Sequence, residues 1–145
     1  MFNIRVERTI NKPIKEVFDY ISDHANYAQF KGVDTARLVK AGEQDENGLG
    51  AVREMVAAGA TLHEAIVRFE PPYILGYKIV YSKPLPYKHL LGEITLSETQ
   101  EGTKAVWVSQ GTIDIPLLGK WYFDKQIQKH GSRAFGSILK FIDAA

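Results

Sequence analysis

A chain of 145 residues fits one domain, read as residues 1–145, and can bury about two thirds of the surface its unfolded form exposes. Its 18 basic and 17 acidic residues leave a net charge of +1 with no long run of either sign, which excludes the electrostatic footprint of a nucleic-acid binder. The absence of cysteine excludes disulfides, thiol catalysis and thiolate metal sites. No apolar run approaches the ~18 residues of a membrane span, and Arg5, Glu7 and Arg8 break up any signal-peptide core, so a cytoplasmic location without stable membrane insertion is expected.

The first element is predicted at residues 2–10, where Phe2, Ile4 and Val6 alternate with Asn3, Arg5 and Glu7. Asn11 then suits an N-cap and Pro13 a first helical turn, opening a helix whose apolar face is Ile14, Val17, Phe18 and Ile21. A second short helix is expected over residues 23–30. From Thr35 the helical period gives way to six strand candidates, at 37–41, 50–57, 61–69, 75–81, 90–97 and 104–113, separated by Gly, Pro and Asn turn signals. Connections this short make antiparallel neighbours, so the sheet is expected to be a meander. The final element is a long amphipathic helix over residues 120–144. Phe123, Ile127, Ala134, Ile138, Phe141 and Ile142 converge on one side of it, with Phe135 and Leu139 at the margin. Gly131 lies near the centre of this apolar arc, where glycine costs roughly 0.5–1 kcal/mol against alanine. Either another element packs closely there, or the helix roofs an open space.

The resulting class is α+β: a curved seven-stranded antiparallel sheet in the order β-α-α-β6-α, wrapped around the long C-terminal helix. Three passages add a resemblance. Asn11-Lys12-Pro13-Ile14-Lys15-Glu16-Val17-Phe18, Glu64-Ala65-Ile66-Val67-Arg68-Phe69-Glu70-Pro71-Pro72, and Gly102-Thr103-Lys104-Ala105-Val106 are similar, in order and spacing, to the START-like helix-grip superfamily. That superfamily includes the birch-pollen allergen type and the polyketide cyclase/dehydrase and lipid-transport family. The resemblance implies a cavity between sheet and C-terminal helix for an apolar small molecule; it implies no particular ligand.

Alternation assigns side chains to the two faces. In the strand at 61–69, Glu64 and Arg68 share a face that solvent is expected to take, turning His63, Ala65, Val67 and Phe69 inward. By the same logic Tyr77, Ile79 and Tyr81 point in beside Leu75, and Trp107 and Ser109 beside Ala105. Met55 opposes Glu54 but shares parity with Arg53. Together with Phe123, Ile127, His130, Gly131 and Ala134 of the last helix, His63, Val67, Tyr77, Ile79, Tyr81, Trp107 and Ser109 are the candidate ligand-binding residues. From alternation alone these residues either fill a core or line a cavity; the resemblance favours the cavity.

Catalytic machinery is harder to find. Of the four histidines, His24, His63, His89 and His130, no two have metal-ligand spacing, and neither a metal nor a cofactor is expected. His130 could serve a cavity as hydrogen-bond donor or general base, or simply reach solvent. Asp114, Asp124 and Glu54 read as surface or capping groups. The expected function is binding or transport of a lipid, isoprenoid or polyketide-like molecule by a monomer or weak homodimer. The alternatives are a cyclase or dehydratase acting in the same cavity, and a protein-interaction module with a filled core. Residues 81–89 and the start of the last helix, with Leu85, Tyr87, Trp121 and Tyr122, are expected to share one end of the sheet and form the entrance.

Overall fold

The computed structural model describes residues 1–145. The alternating N-terminal segment forms β1 (Phe2–Ile10), and Pro13 introduces α1 (Ile14–Ser22). The N-cap is Pro13 itself rather than Asn11, whose backbone N–H instead donates to Asp143 Oδ1 at 2.9 Å. Ile14, Val17, Phe18 and Ile21 are buried, as the helical period requires. A 3₁₀ turn (His24–Gln29) leads to β2 (Thr35–Lys40), and the chain continues as β3 (Val52–Ala57), β4 (Ala60–Glu70), β5 (Ile74–Lys83), β6 (Tyr87–Thr99) and β7 (Gly102–Ile113). A single π-helical turn (Gly119–Phe123) runs into α2 (Asp124–Ala144).

One antiparallel sheet holds all seven strands in the order β1-β7-β6-β5-β4-β3-β2. β2 to β7 are a meander, and β1 pairs with β7 from Phe2 opposite Gly111 to Ile10 opposite Thr103. With the long helix across one face, this is the α+β helix-grip arrangement. The core lies where α1, the 3₁₀ turn and the C-terminal half of α2 meet the middle of the sheet, and includes Val17, Ile21, Tyr27, Leu75, Ile94, Leu139 and Ile142.

Two irregularities correct the facing expected for β4 and β5. The β4–β5 register shifts between His63 and Glu64 and again between Ile66 and Arg68. Each extra residue reverses the parity of the strand beyond it. Glu64 and Ile66 therefore point inward and are buried, whereas His63, Ala65 and Val67 do not. Val67 is 49% exposed, and His63 pairs with Glu54 Oε2 at 2.7 Å on the outer face. Phe69 returns to the inside and packs on Phe18. The same shift carries Tyr81 outward, opposite His63, with the two rings 5.0 Å apart. Leu75 and Tyr77 of β5, and Ala105, Trp107 and Ser109 of β7, are buried, as alternation predicts.

The helix is fastened along β1. The Gln128 side chain accepts from the Asn3 N–H at 2.6 Å and donates to the Asn3 carbonyl at 2.7 Å, standing in for a neighbouring strand. Asp143 receives the Arg8 guanidinium at 2.9 Å. Between them, Gly131 faces the Ile4 side chain, and a Cβ there would overlap Ile4 Cδ1. Close docking, not open space, is thus what the missing side chain permits. Phe135 lies flat on Trp107, with centroids 4.1 Å apart and planes at 9°.

Candidate functional site

Behind the helix, the inner wall carries a set of buried polar side chains. Arg53 is fully buried; its Nε donates to Glu64 Oε1 at 2.9 Å and its Nη1 to His24 Nδ1 at 3.0 Å. Its guanidinium lies 4.5 Å from the Tyr27 ring centre and 5.3 Å from that of Tyr77. Nη2 is 2.9 Å from the same Glu64 oxygen but not aligned with it, which leaves a buried donor without a hydrogen bond. Burial opposes charge on Arg53, but Tyr27, Glu64 and Tyr77 more than offset this, and its pKa is raised. Burial also pushes the Glu64 carboxyl up, against the pull of Arg53.

Further along, the Tyr77 hydroxyl accepts from Trp107 Nε1 at 2.8 Å, and the Tyr77 ring stacks on His89. The histidine tautomers follow from their partners. The backbone N–H of Ile79 can only donate, so His89 Nδ1 is the acceptor at 3.0 Å, and Nε2 carries the proton toward Ser109 Oγ at 2.9 Å. The Asn47 carbonyl can only accept, so the His24 proton is on Nε2, at 2.8 Å, leaving Nδ1 to receive Arg53. Neither imidazole keeps a free lone pair, so these rings orient their neighbours and are not available as bases in this arrangement.

Burial, with Arg53 nearby, lowers the His24 pKa to about 3; burial, with Lys78, lowers that of His89 to about 4. Both groups are neutral when folded but take up protons when unfolded below pH ~6.5. Their contribution is therefore complete above that value and is lost as pH falls, down to about 4 for His89 and about 3 for His24. At about 1.4 kcal/mol per pH unit for each, the two should together cost about 4 kcal/mol between pH 7 and pH 5. Urea unfolding at the two pH values measures this, and an unchanged free energy would show that the imidazoles are not buried neutral.

The helix flank turned away from β1 looks different. At 100° per residue Phe123, Ile127, His130, Ala134 and Phe141 share it. Phe123 and Ile127 are half-buried, and His130 and Ala134 are exposed. Phe141 meets Phe30 edge-on at 5.4 Å and closes one end. On the sheet, Met55, Leu62 and Ile79 occupy the inner parity of β3 to β5 and are also half-buried. These side chains leave one apolar strip on the helix and another on the sheet that are only half covered, α2 being fastened along β1. A separate recess of about 470 Å³, lined by residues 11–15 and 98–102, is polar and lies at the other end of the sheet.

Of the residues selected from sequence, Phe123, Ile127, His130 and Ala134 thus lie on the helix flank turned away from β1, and Ile79 is on the inner face of the sheet. Tyr77, Trp107 and Ser109 are inside but engaged within the wall; Gly131 is spent on Ile4; His63, Val67 and Tyr81 are on the outer face. The residues missed are Arg53, Glu64, His24 and His89. The usable signal for two of them is parity, since Arg53 alternates with Met55 and Glu64 with Ile66.

The expected entrance segments do share an end of the sheet: Tyr87 pairs with Ile113, and the Asp114 N–H donates to the Pro86 carbonyl at 2.8 Å. Asp124, read from sequence as a surface or capping group, is buried at this end. It accepts from Ile113 N and Thr112 Oγ1, both at 2.7 Å, and pairs with the Met1 ammonium at 2.9 Å.

The family model described as polyketide cyclase / dehydrase and lipid transport matches residues 1–136. Among solved structures, TTHA0849 from Thermus thermophilus superposes with a TM-score of 0.73 at 21% identity, over 98% of this chain and 94% of that one. The di-domain ARO/CYC StfQ of the steffimycin biosynthetic pathway gives a TM-score of 0.75 at 15% identity, over 98% of this chain and 49% of StfQ. Ara h 8.0201 gives 0.64 at 15% identity, over 99% and 98%. At these identities the likeness is one of fold. No curated protein matches the chain in sequence.

Proposed function

Because the chain belongs to the polyketide cyclase/dehydrase and lipid-transport family, we propose that it binds a small apolar or aromatic molecule and carries it without converting it. The space between the outward flank of α2 and the inner face of β3–β5 is the site. The observation that carries this reading is the set of half-buried apolar side chains on both elements, Phe123 and Ile127 on the helix and Met55 and Ile79 on the inner sheet face, beside the tightly packed Gly131–Ile4 seam. Covering such a strip yields roughly 25 cal/mol per Å² of apolar surface. The ligand is lipid-like, isoprenoid or polyketide-like, and His130 is the polar group on that flank able to orient it. Carriage is favoured over cyclase or dehydratase chemistry because His24 and His89 have both ring nitrogens committed. We take residues 1–145 as one ligand-binding domain, acting as a monomer or weak homodimer.

Native mass spectrometry with a panel of apolar ligands tests this. The expected result is uptake of one class, its release chemically unchanged, and loss of uptake in Ile127→Glu with the fold retained. Chemical conversion would instead assign catalysis. No uptake of any member would leave the filled-core interaction module.

A further inference from the structure

We infer that the corner between β7 and α2 is a docking surface for an anionic lipid bilayer. Four large apolar side chains are presented together there: Leu117 is 77% exposed, Leu118 57%, Trp121 69% and Tyr122 53%. They do not sit on a loose loop. Gly119 N donates to Ile115 O at 2.8 Å, Leu118 N to Pro116 O at 2.7 Å and Trp121 N to Leu117 O at 3.0 Å. Gly119 is packed so closely on the Ile113 carbonyl that no Cβ would fit. The backbone is therefore fixed in a form that leaves these side chains in solvent. A contiguous exposed patch of this kind marks a contact site.

Charge selects the occupant. Lys120 and Lys125 flank the patch, and Lys83 ends β5, two strands away from β7; all are exposed. Of the acids at this corner, Asp124 is buried and already paired, leaving Asp114. The exposed acids gather at the other end of the sheet, with Glu43, Asp45 and Glu46 between β2 and β3, and Glu98 and Glu101 near the β6–β7 turn. A molecule polarised in this way turns its basic corner toward a negative surface. Trp and Tyr on an apolar tip ringed by lysine suit the headgroup level of a membrane. No helix of the protein is long and apolar enough to cross one, so the contact is peripheral. This surface adjoins the proposed ligand site, the Tyr122 ring meeting Phe123 edge-on at 5.2 Å, but vesicle binding is tested without any ligand in that site.

Co-flotation with vesicles of phosphatidylcholine alone, or with about 30 mol% phosphatidylglycerol, tests the inference. Binding to the anionic vesicles is expected, weakening with added salt. Lys120→Gln and Lys125→Gln should each reduce it roughly fivefold. Trp121→Ser and Leu118→Ser should abolish it while leaving the melting curve in place. Brominated lipid should quench part of the tryptophan emission, and Trp121→Phe should remove the quenched part, since Trp107 is buried. Absence of flotation, equal binding to both vesicle types, or full binding by Trp121→Ser would each overturn it. So would sedimentation equilibrium showing self-association that Trp121→Ser abolishes, which would make the occupant a second copy of the chain.

Discussion

Gly131→Leu is expected to destabilise the protein by about 1–3 kcal/mol, the range for overpacking a filled core. Ile4 is 2% exposed, and its Cδ1 occupies the space a side chain at 131 would need. The roughly 0.5–1 kcal/mol of helix propensity recovered on replacing glycine by a good helix former such as leucine offsets only part of this. The Gln128–Asn3 and Asp143–Arg8 bonds lie on either side along the helix, so α2 cannot tilt away without breaking one of them. Urea unfolding measures the loss, with Gly131→Ala as a milder companion. A leucine variant that keeps full stability but no longer takes up ligand would show instead that α2 roofs an opening at this position.

Arg53→Met should cost about 3–5 kcal/mol at pH 7, because it leaves the buried Glu64 without its partner. Once Arg53 is gone, burial acts on Glu64 unopposed and raises its folded pKa above the ordinary carboxylate range. The variant's deficit therefore shrinks as pH falls through that raised value, where Glu64 takes a proton in the fold. Both proteins keep His89 and His24, whose loss of stability with falling pH is largely shared, so it is the protonation of Glu64 that brings the two curves together toward pH 5. Glu64→Gln is the contrasting case: the guanidinium left behind cannot shed its charge, and the loss has no such relief at low pH. Arg53→Met combined with Glu64→Leu should be milder than either single change. Parallel urea titrations at pH 7 and pH 5 separate these outcomes, and a double variant as damaged as the sum of the singles would deny the pairing.

How much is legible in advance depends on which residues obey a simple period. β1 and the face of α1 follow a simple apolar period, with Pro13 marking the helix start, and α2 is legible to its C-terminal end, although its expected first turn is the π-helical Gly119–Phe123. The β4–β5 hairpin is not, because the extra residues at its register shifts, Val80 in β5 and Val67 in β4, are ordinary strand formers, and Gly76 opposite Arg68 is the one glycine beside them. Each shift moves side chains to the opposite face, which is why an unbroken period of two places His63, Val67 and Tyr81 inside. The polar wall is hidden for another reason. Alternation assigns Arg and Glu to solvent by default, and only the partnership of Arg53, Glu64 and His24, brought together from three separate elements, makes their burial tolerable. The helix flank is easier, since a 3.6-residue period survives whether or not anything covers it.

The pairing of β1 with β7 at one edge of the sheet has a consequence during synthesis. β1 leaves the ribosome first, yet the strand it pairs with, β7, begins at Gly102, and the helix that covers it comes later still. At ~5–20 residues per second, Phe2 and Ile4 wait roughly 5–20 seconds before either face of their strand is occupied. Strands β2 to β7 can zip up locally as each hairpin emerges, whereas this last join spans nearly the whole chain and carries most of the delay in folding. A nascent chain caught in that interval displays a strand-length apolar segment with no partner, the form in which chaperones recognise a client and neighbouring copies exchange strands.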